Sequence, residues 1–360
     1  MPNNKSQHYV PQFFLKNFSV DRKCISLYLK YNDRIIDTVS IKTQCCKDYF
    51  YPDLQYEKAL SKFEDFSKKV ISRAITENKT LTTTELNCLS AFVVLQRSRT
   101  LHQAQMMKEG FDQLLEYFHS ENMTDELKAT VSSYENSQKN MVSIIADSFS
   151  RSYEMTRDMT CKVLEYNGEG SFITSDDPVI MYNPFLEQRG KMSYGLAAMG
   201  LLLILPISSK RAIILYDSGV NKIGNRKDTV VRFSNPKDLH YINILTVLHA
   251  DKAIYFLPGT HSIQELRELN TRAAEINQSE RMKYDVYEAE DGSSEMIRSF
   301  GGNFYIGATF SFLKTLDKAR GIRIPDTYSV IDYSRPYCNR HLIDESKGVE
   351  LPTVSFRKRR

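Results

Sequence analysis

The chain has 360 residues, of which 41% are hydrophobic and 26% charged, so it can bury a full core and is not a disordered tail. Its formal net charge of +4 is too small to require a nucleic-acid or membrane partner, and it excludes neither.

The first distinctive segment is His8-Tyr-Val-Pro-Gln-Phe-Phe-Leu-Lys-Asn-Phe18. Two runs after it, 25–31 and 34–41, favour extended structure through their β-branched and aromatic residues, with a turn at Asn32-Asp33. Residues 53–158 read as helical. Leu60, Phe63, Val70, Ile71 and Ile75 recur at helical spacing in a first helix. Thr82-Thr-Thr-Glu85 has the form of a capping box, so a second helix is expected to start there and run through Leu89, Phe92 and Val93. A third helical pattern covers 124–158, with start signals at Asn122-Met-Thr-Asp125.

From residue 160 short apolar runs broken by Gly, Pro, Asp and Ser indicate strands at 162–166, 172–174, 201–205 and 211–216. The most apolar run, 195–207, is shorter than the ~20 residues needed to span a bilayer and is expected to be a buried strand. A helix at 236–250, a strand at 252–257, a helix at 263–276 and a strand at 303–313 complete the reading, and a basic tail closes the chain at Phe356-Arg-Lys-Arg-Arg360. The expected fold class is α+β, a mixed or antiparallel sheet built from strands of both ends of the chain and packed against a block of long helices. Residues 1–257 form the expected core: strands in 1–52, helices in 53–158 and a strand-rich part in 159–257. Residues 258–360 are expected to be an extension packed on the same core.

The six cysteines include no Cys-x-x-Cys pair, and no secretory leader precedes the first motif. Reduced thiols in a cytoplasmic protein without a membrane anchor are therefore expected. Loops of the type that cradle nucleotide phosphates, His-Glu-x-x-His and Gly-x-Ser-x-Gly are absent from the sequence.

Several polar residues fall on apolar faces. Helical spacing puts Glu57, Leu60, Glu64, Ser67 and Ile71 on one stripe, with the two carboxylates ~10 Å apart along the axis. In the second helix Leu89, Phe92 and Val93 are followed on the same stripe by Gln96 and Arg99. An inward guanidinium needs a carboxylate, a phosphate or several carbonyls, and Glu64 or Glu57 is the expected protein partner. Asp176, in Thr174-Ser-Asp-Asp-Pro178, stands at a strand end, where it either serves chemistry or caps a turn.

Six islands give the chain a resemblance to a large bacterial family of unknown function marked by His-Tyr-Val-Pro. They are the His8 segment, Glu57 with Glu64, Gln96-Arg-Ser-Arg99, Phe172 to Pro178, Leu205-Pro-Ile-Ser208, and His240 to Asn243 followed by Ala250 to Ala253. They span about residues 8–257. The resemblance implies no reaction; it admits a role in antiviral defence.

Two functions fit these residues. In the first, the protein is a phosphoester hydrolase, nuclease-like or nucleotide-acting. His8, Asp176 and Glu64 are then the catalytic groups, Gln96, Arg97 and Arg99 hold the anion, and Glu57 with Asp176 ligates a divalent metal. Its partner is a nucleotide or nucleic acid. In the second, the protein is a non-catalytic binding module, and the same residues form a buried hydrogen-bonded network. The oligomeric state is not encoded in any of these signals.

Overall fold

The structure is a computed structural model that describes residues 6–48, 50, 54–77, 80–106, 108–109, 112, 141–191, 195–276, 282–289, 295–301, 305–324, 333–345 and 356–358. The helix start expected at Asn122 to Asp125 lies outside them, as do Asn303 and the last two residues of the basic tail.

The amino-terminal strands are β1 (Ser6–His8), β2 (Cys24–Leu29), β3 (Arg34–Ser40) and β4 (Cys46–Asp48). β1 pairs with β4, and β2 with β3, both antiparallel. The β2–β3 turn places Asp33 in the left-handed region, which short polar side chains tolerate, and the Tyr28 hydroxyl donates to its carboxylate. After Pro11 a short helix, α1 (Gln12–Leu15), turns the chain, and Phe14, Leu15 and Phe18 are buried completely.

Two long helices follow, α2 (Leu54–Thr76) and α3 (Thr83–Ser98). The capping box at the start of α3 forms as expected. The Thr82 hydroxyl accepts from the Glu85 N–H, and the Glu85 carboxylate accepts from the Thr82 N–H. Residues 101–106 are helical as well, and α4 (Met141–Glu154) follows.

The later strands are β5 (Thr160–Tyr166), β6 (Thr174–Ser175), β7 (Ile180–Tyr182), β8 (Leu202–Pro206), β9 (Arg211–Tyr216), β10 (Asn221–Ile223), β11 (Val230–Phe233) and β12 (Ala253–Phe256). Five of them make a mixed sheet in the order β11-β5-β9-β8-β7, with β11 parallel to β5 and the other pairs antiparallel. Leu203, Leu205, Ile213 and Leu215 face a core shared with α1, α2 and α3. Leu202, Ile204 and Ile214 face a second core under α6 (Pro236–His249), numbered after the short α5 (Pro184–Glu187). Burial on both faces explains why 195–207 reads as an unbroken apolar run rather than an alternating one.

The sheet assembled from both ends of the chain is a separate, four-stranded antiparallel one, β3-β2-β12-β6. It packs on α6 and on α7 (Ile263–Ile276) through Tyr28, Ile244, Ile254 and Leu269. The fold is α+β, with mixed and antiparallel sheets packed against helices. The chain passes directly from one sheet to the other at Asp176-Asp177-Pro178, which joins β6 to β7.

Beyond residue 258, β13 (Met282–Ala289) pairs with β14 (Glu295–Gly301) and with β16 (Phe356–Lys358). β15 (Leu313–Thr315) pairs with β10. The strand expected over 303–313 is corrected: 305–310 has no strand geometry. Its amides bond to side chains instead of to a neighbouring strand. The Glu187 carboxylate accepts from the N–H of Ile306 (2.6 Å) and Gly307 (3.1 Å), the Tyr182 hydroxyl from Ala308, and Asp238 from Ser311. Phe310 and Phe312 thereby enter the core under α6. All six cysteines are free thiols, and no described helix is long and apolar enough to cross a membrane.

Candidate functional site

The polar end of α3 splits between two places. Gln96 and Arg99 point inward, both with no solvent exposure. Arg99 donates from Nε (3.0 Å) and one terminal nitrogen (2.9 Å) to the Gln96 side-chain oxygen, and from the other to Glu64 at 2.6 Å. The Gln96 amide donates to the main-chain carbonyl of Tyr9 at 3.0 Å. Glu64 is thus the partner that the helical stripe required, and the motif at residues 8–11 is tied through Gln96 to both long helices.

Glu64 also borders a cleft of about 340 Å³ between the amino-terminal segment and α2. His8, Phe13, Lys16, Glu57 and Lys68 line it as well. The His8 Nε2 lies 3.1 Å from the Lys42 carbonyl, which fixes a proton on that nitrogen. Burial lowers the pKa of His8, so the ring is neutral at pH 7.

Arg97 takes the other direction, with Asp177, His102 and Asp251. Asp177 is buried at the crossing between the sheets, where it accepts from the Thr100 hydroxyl (3.0 Å) and the Gln103 amide (2.8 Å). Burial pushes its pKa up to about 7, against the opposing effects of those two bonds and of Arg97. Asp176 accepts from three successive N–H groups, Asp251 (3.0 Å), Lys252 (2.9 Å) and Ala253 (3.2 Å), so it pins the turn from α6 into β12. Burial raises its pKa to about 6, with the charge of Asp251 adding to the rise.

Arg97 lies in a recess: it is partly accessible, yet surrounded deeply enough that burial lowers its pKa while Asp177 opposes the change. No described residue hydrogen-bonds or ion-pairs with it. His102 Nδ1 stands 3.7 Å from Asp251, and both side chains are half-buried at the same place. His249 is in electrostatic reach of Arg97, but its ring is committed: Nδ1 donates to the Leu245 carbonyl at 2.8 Å and Nε2 accepts the Met181 N–H at 3.1 Å. Burial lowers its pKa to about 4. Tyr9 joins the group from the amino-terminal motif. Its pKa is raised chiefly by burial, then by Cys45, Asp176 and Asp251. Cys45, whose carbonyl accepts the Tyr9 N–H at 3.0 Å, has a left-handed backbone (φ 51°), an uncommon conformation for a residue with a side chain.

The model of the family described as Protein of unknown function (DUF4238) matches residues 6–260. The chain belongs to the DUF4238 family. No curated protein and no solved structure matches it. The DUF4238 match ends just past β12, so it contains both the cleft and the recess.

Within this DUF4238 region His8, Glu57 and Glu64 share the cleft, with Gln96 and Arg99 behind it. Arg97 and Asp176 belong to the recess. Glu57 and Asp176, the candidate metal ligands, sit in different places, and no group of three or more His, Cys, Asp or Glu that could hold a metal ion occurs among the described residues. Sequence reasoning did not select His102, Asp177, Asp251 or Gln103 as site residues. A signal existed for one of them: the helical spacing that aligns Gln96 with Arg99 or Thr100 continues to Gln103.

Proposed function

We propose that the protein hydrolyses a phosphoester, in a nucleotide or nucleic acid, at the recess around Arg97. The observation that carries this reading is that guanidinium, partly accessible yet closely surrounded, with no hydrogen bond to any described residue. A guanidinium withdrawn from water requires an anion, and its planar fork matches a phosphate. There it would also stabilise the charge that develops on the transferring group. Asp177, with a pKa near neutrality, is suited to hand a proton to a leaving oxygen, and His102 beside Asp251 to take one from an attacking water. A divalent ion held mainly by substrate phosphates, as Mg²⁺ commonly is, fits this set.

For Gln96, Arg99 and Asp176 the pairing of their polar atoms favours the non-catalytic reading, a network that fixes the walls of the recess and that Glu64 joins through one oxygen. We take His-Tyr-Val-Pro as a mark of the family because Tyr9 reaches the recess and His8 the cleft. A cytoplasmic bacterial setting and a part in antiviral defence are proposals that rest on the resemblance alone.

The test is Arg97→Ala beside wild type, both checked for folding by circular dichroism. Both are assayed with bis(p-nitrophenyl) phosphate, nucleotides, RNA and DNA, with and without Mg²⁺ or Mn²⁺. The expected result is turnover by wild type and a loss of about 100-fold or more in the folded variant, the scale of removing one charge-stabilising donor. No turnover by wild type on any substrate, or equal turnover by both, overturns the reading.

A further inference from the structure

The cleft between the amino-terminal segment and α2 carries a second, independent chemistry. Its volume of about 340 Å³ suits a small molecule. The Glu57 Oε2 atom is closed off from solvent and has no hydrogen-bond partner. Glu64 commits one oxygen to Arg99 and has no other partner among the described residues. His8 has its Nε2 proton committed to the Lys42 carbonyl, so Nδ1 is left as a bare acceptor. Lys16 and Lys68 also line the cleft, and among the described residues neither forms an ion pair with these carboxylates. The cleft therefore presents three acids, Glu57, Glu64 and Asp65, and an imidazole acceptor, and among the described residues no donor reaches the Glu57 Oε2 atom.

A buried carboxylate oxygen without a partner is costly, and a ligand that supplies N–H donors removes the cost. A bare metal ion does not match. No group of three His, Cys, Asp or Glu close enough to hold one occurs among the described residues, and Glu57 and Glu64 stand two turns apart, ~10 Å along the helix axis. A molecule with two separated cationic N–H groups meets both acids at once. Phe13 also lines the cleft, and an aromatic ring suits a cationic ligand. We propose that this cleft binds a small organic dication, an aliphatic amine with a second ammonium or guanidinium group, between Glu57, Glu64 and His8. Lys16 and Lys68 at its walls suit a ligand that carries a carboxylate as well, as a basic amino acid does.

The inference does not rest on phosphoester hydrolysis, and its test reads binding alone. The full chain is titrated by calorimetry with agmatine, arginine, Mg²⁺ and acetate. Saturable agmatine or arginine binding is expected, with arginine tighter if the lysines take its carboxylate. Glu57→Gln is expected to weaken that binding at least tenfold while keeping or raising thermal stability, because it removes an unpaired buried acid. His8→Gln serves as a second variant, expected to weaken binding several-fold. Binding of Mg²⁺ or acetate alone, no binding of either dication, or dication binding unchanged in Glu57→Gln overturns the proposal. A clear fall in stability on Glu57→Gln also overturns it, since that carboxylate would then have a partner within the protein.

Discussion

The side chain of Gln96 reaches the main chain of Tyr9, and this one amide–carbonyl bond of 3.0 Å ties the amino-terminal motif to the third helix of the core. The bond matters because Gln96 is itself held. Its oxygen takes two donors from Arg99, and Arg99 also donates to Glu64. Three segments far apart in sequence are fixed to one another by a single guanidinium.

Removing Glu64 should therefore be expensive. Glu64→Ala removes the carboxylate that the fully buried Arg99 meets at 2.6 Å, and breaking such a pair costs about 3–5 kcal/mol. Urea unfolding should show this loss. Arg99→Lys should lose nearly as much, because one ammonium cannot serve Gln96 and Glu64 in the same geometry. A variant within 1 kcal/mol of wild type, roughly the worth of an exposed pair, would mean that the pair carries little.

Asp176 should behave as a structural carboxylate. Asp176→Ala strands three N–H groups at the turn into β12, each worth about 1–3 kcal/mol when left unsatisfied. The expected outcome is a protein that is unfolded or strongly destabilised. A well-folded Asp176→Ala protein with lost phosphoesterase activity would instead return this residue to the catalytic group.

Asp177 predicts a pH dependence with a definite sign. Its pKa is near 3.8 in the unfolded chain and about 7 in the fold, because burial disfavours the charged form. Between those values the native state holds the proton and the unfolded state does not. Stability from this group is therefore greatest below pH 4, falls by up to about 1.4 kcal/mol per pH unit through the window, and levels above pH 7. Asp177→Asn lacks the effect, so the difference in unfolding free energy between the two proteins should drift in favour of the variant from pH 4 to 7. A difference independent of pH would contradict the raised pKa.

The segment after residue 305 should prove integral to the fold. Glu187→Gln puts an amide against the N–H groups of Ile306 and Gly307, and Asp238→Ala strands those of the Ser311 contact. Each should cost about 1–3 kcal/mol. Their shared readout is faster proteolysis near 305–312 by mass spectrometry. Unaltered cleavage there would show that these carboxylates do not hold the segment.

Much of the framework is legible in local pattern. The helical stripe announced α2 and α3, the capping box marked where α3 begins, and the requirement of a buried guanidinium pointed from Arg99 to Glu64. Two things escaped. The 305–311 segment has the apolar, aromatic composition of a strand, but its amides pair with Glu187, Tyr182 and Asp238, partners far away in sequence that no local window contains. The recess escaped for a similar reason. Arg97 departs from the stripe that Gln96 and Arg99 follow, and what surrounds it is decided by the crossing of the chain between two sheets. Asp177, next to the residue that sequence favoured, is the one that meets Thr100 and Gln103. Its neighbour is absorbed by the turn at 251–253.

The pairing of β2 with β12 sets an order of events at the ribosome. The second strand of the chain finds its inner neighbour only after more than two hundred further residues have been translated, which takes ten seconds or more at about 5–20 residues per second. Until then Cys24–Leu29 can pair only with the hairpin strand beside it, and its other edge stays open to any passing strand. Newly made copies are thus exposed to mispairing for the whole interval, and slower elongation before codon 253 should increase aggregation rather than relieve it.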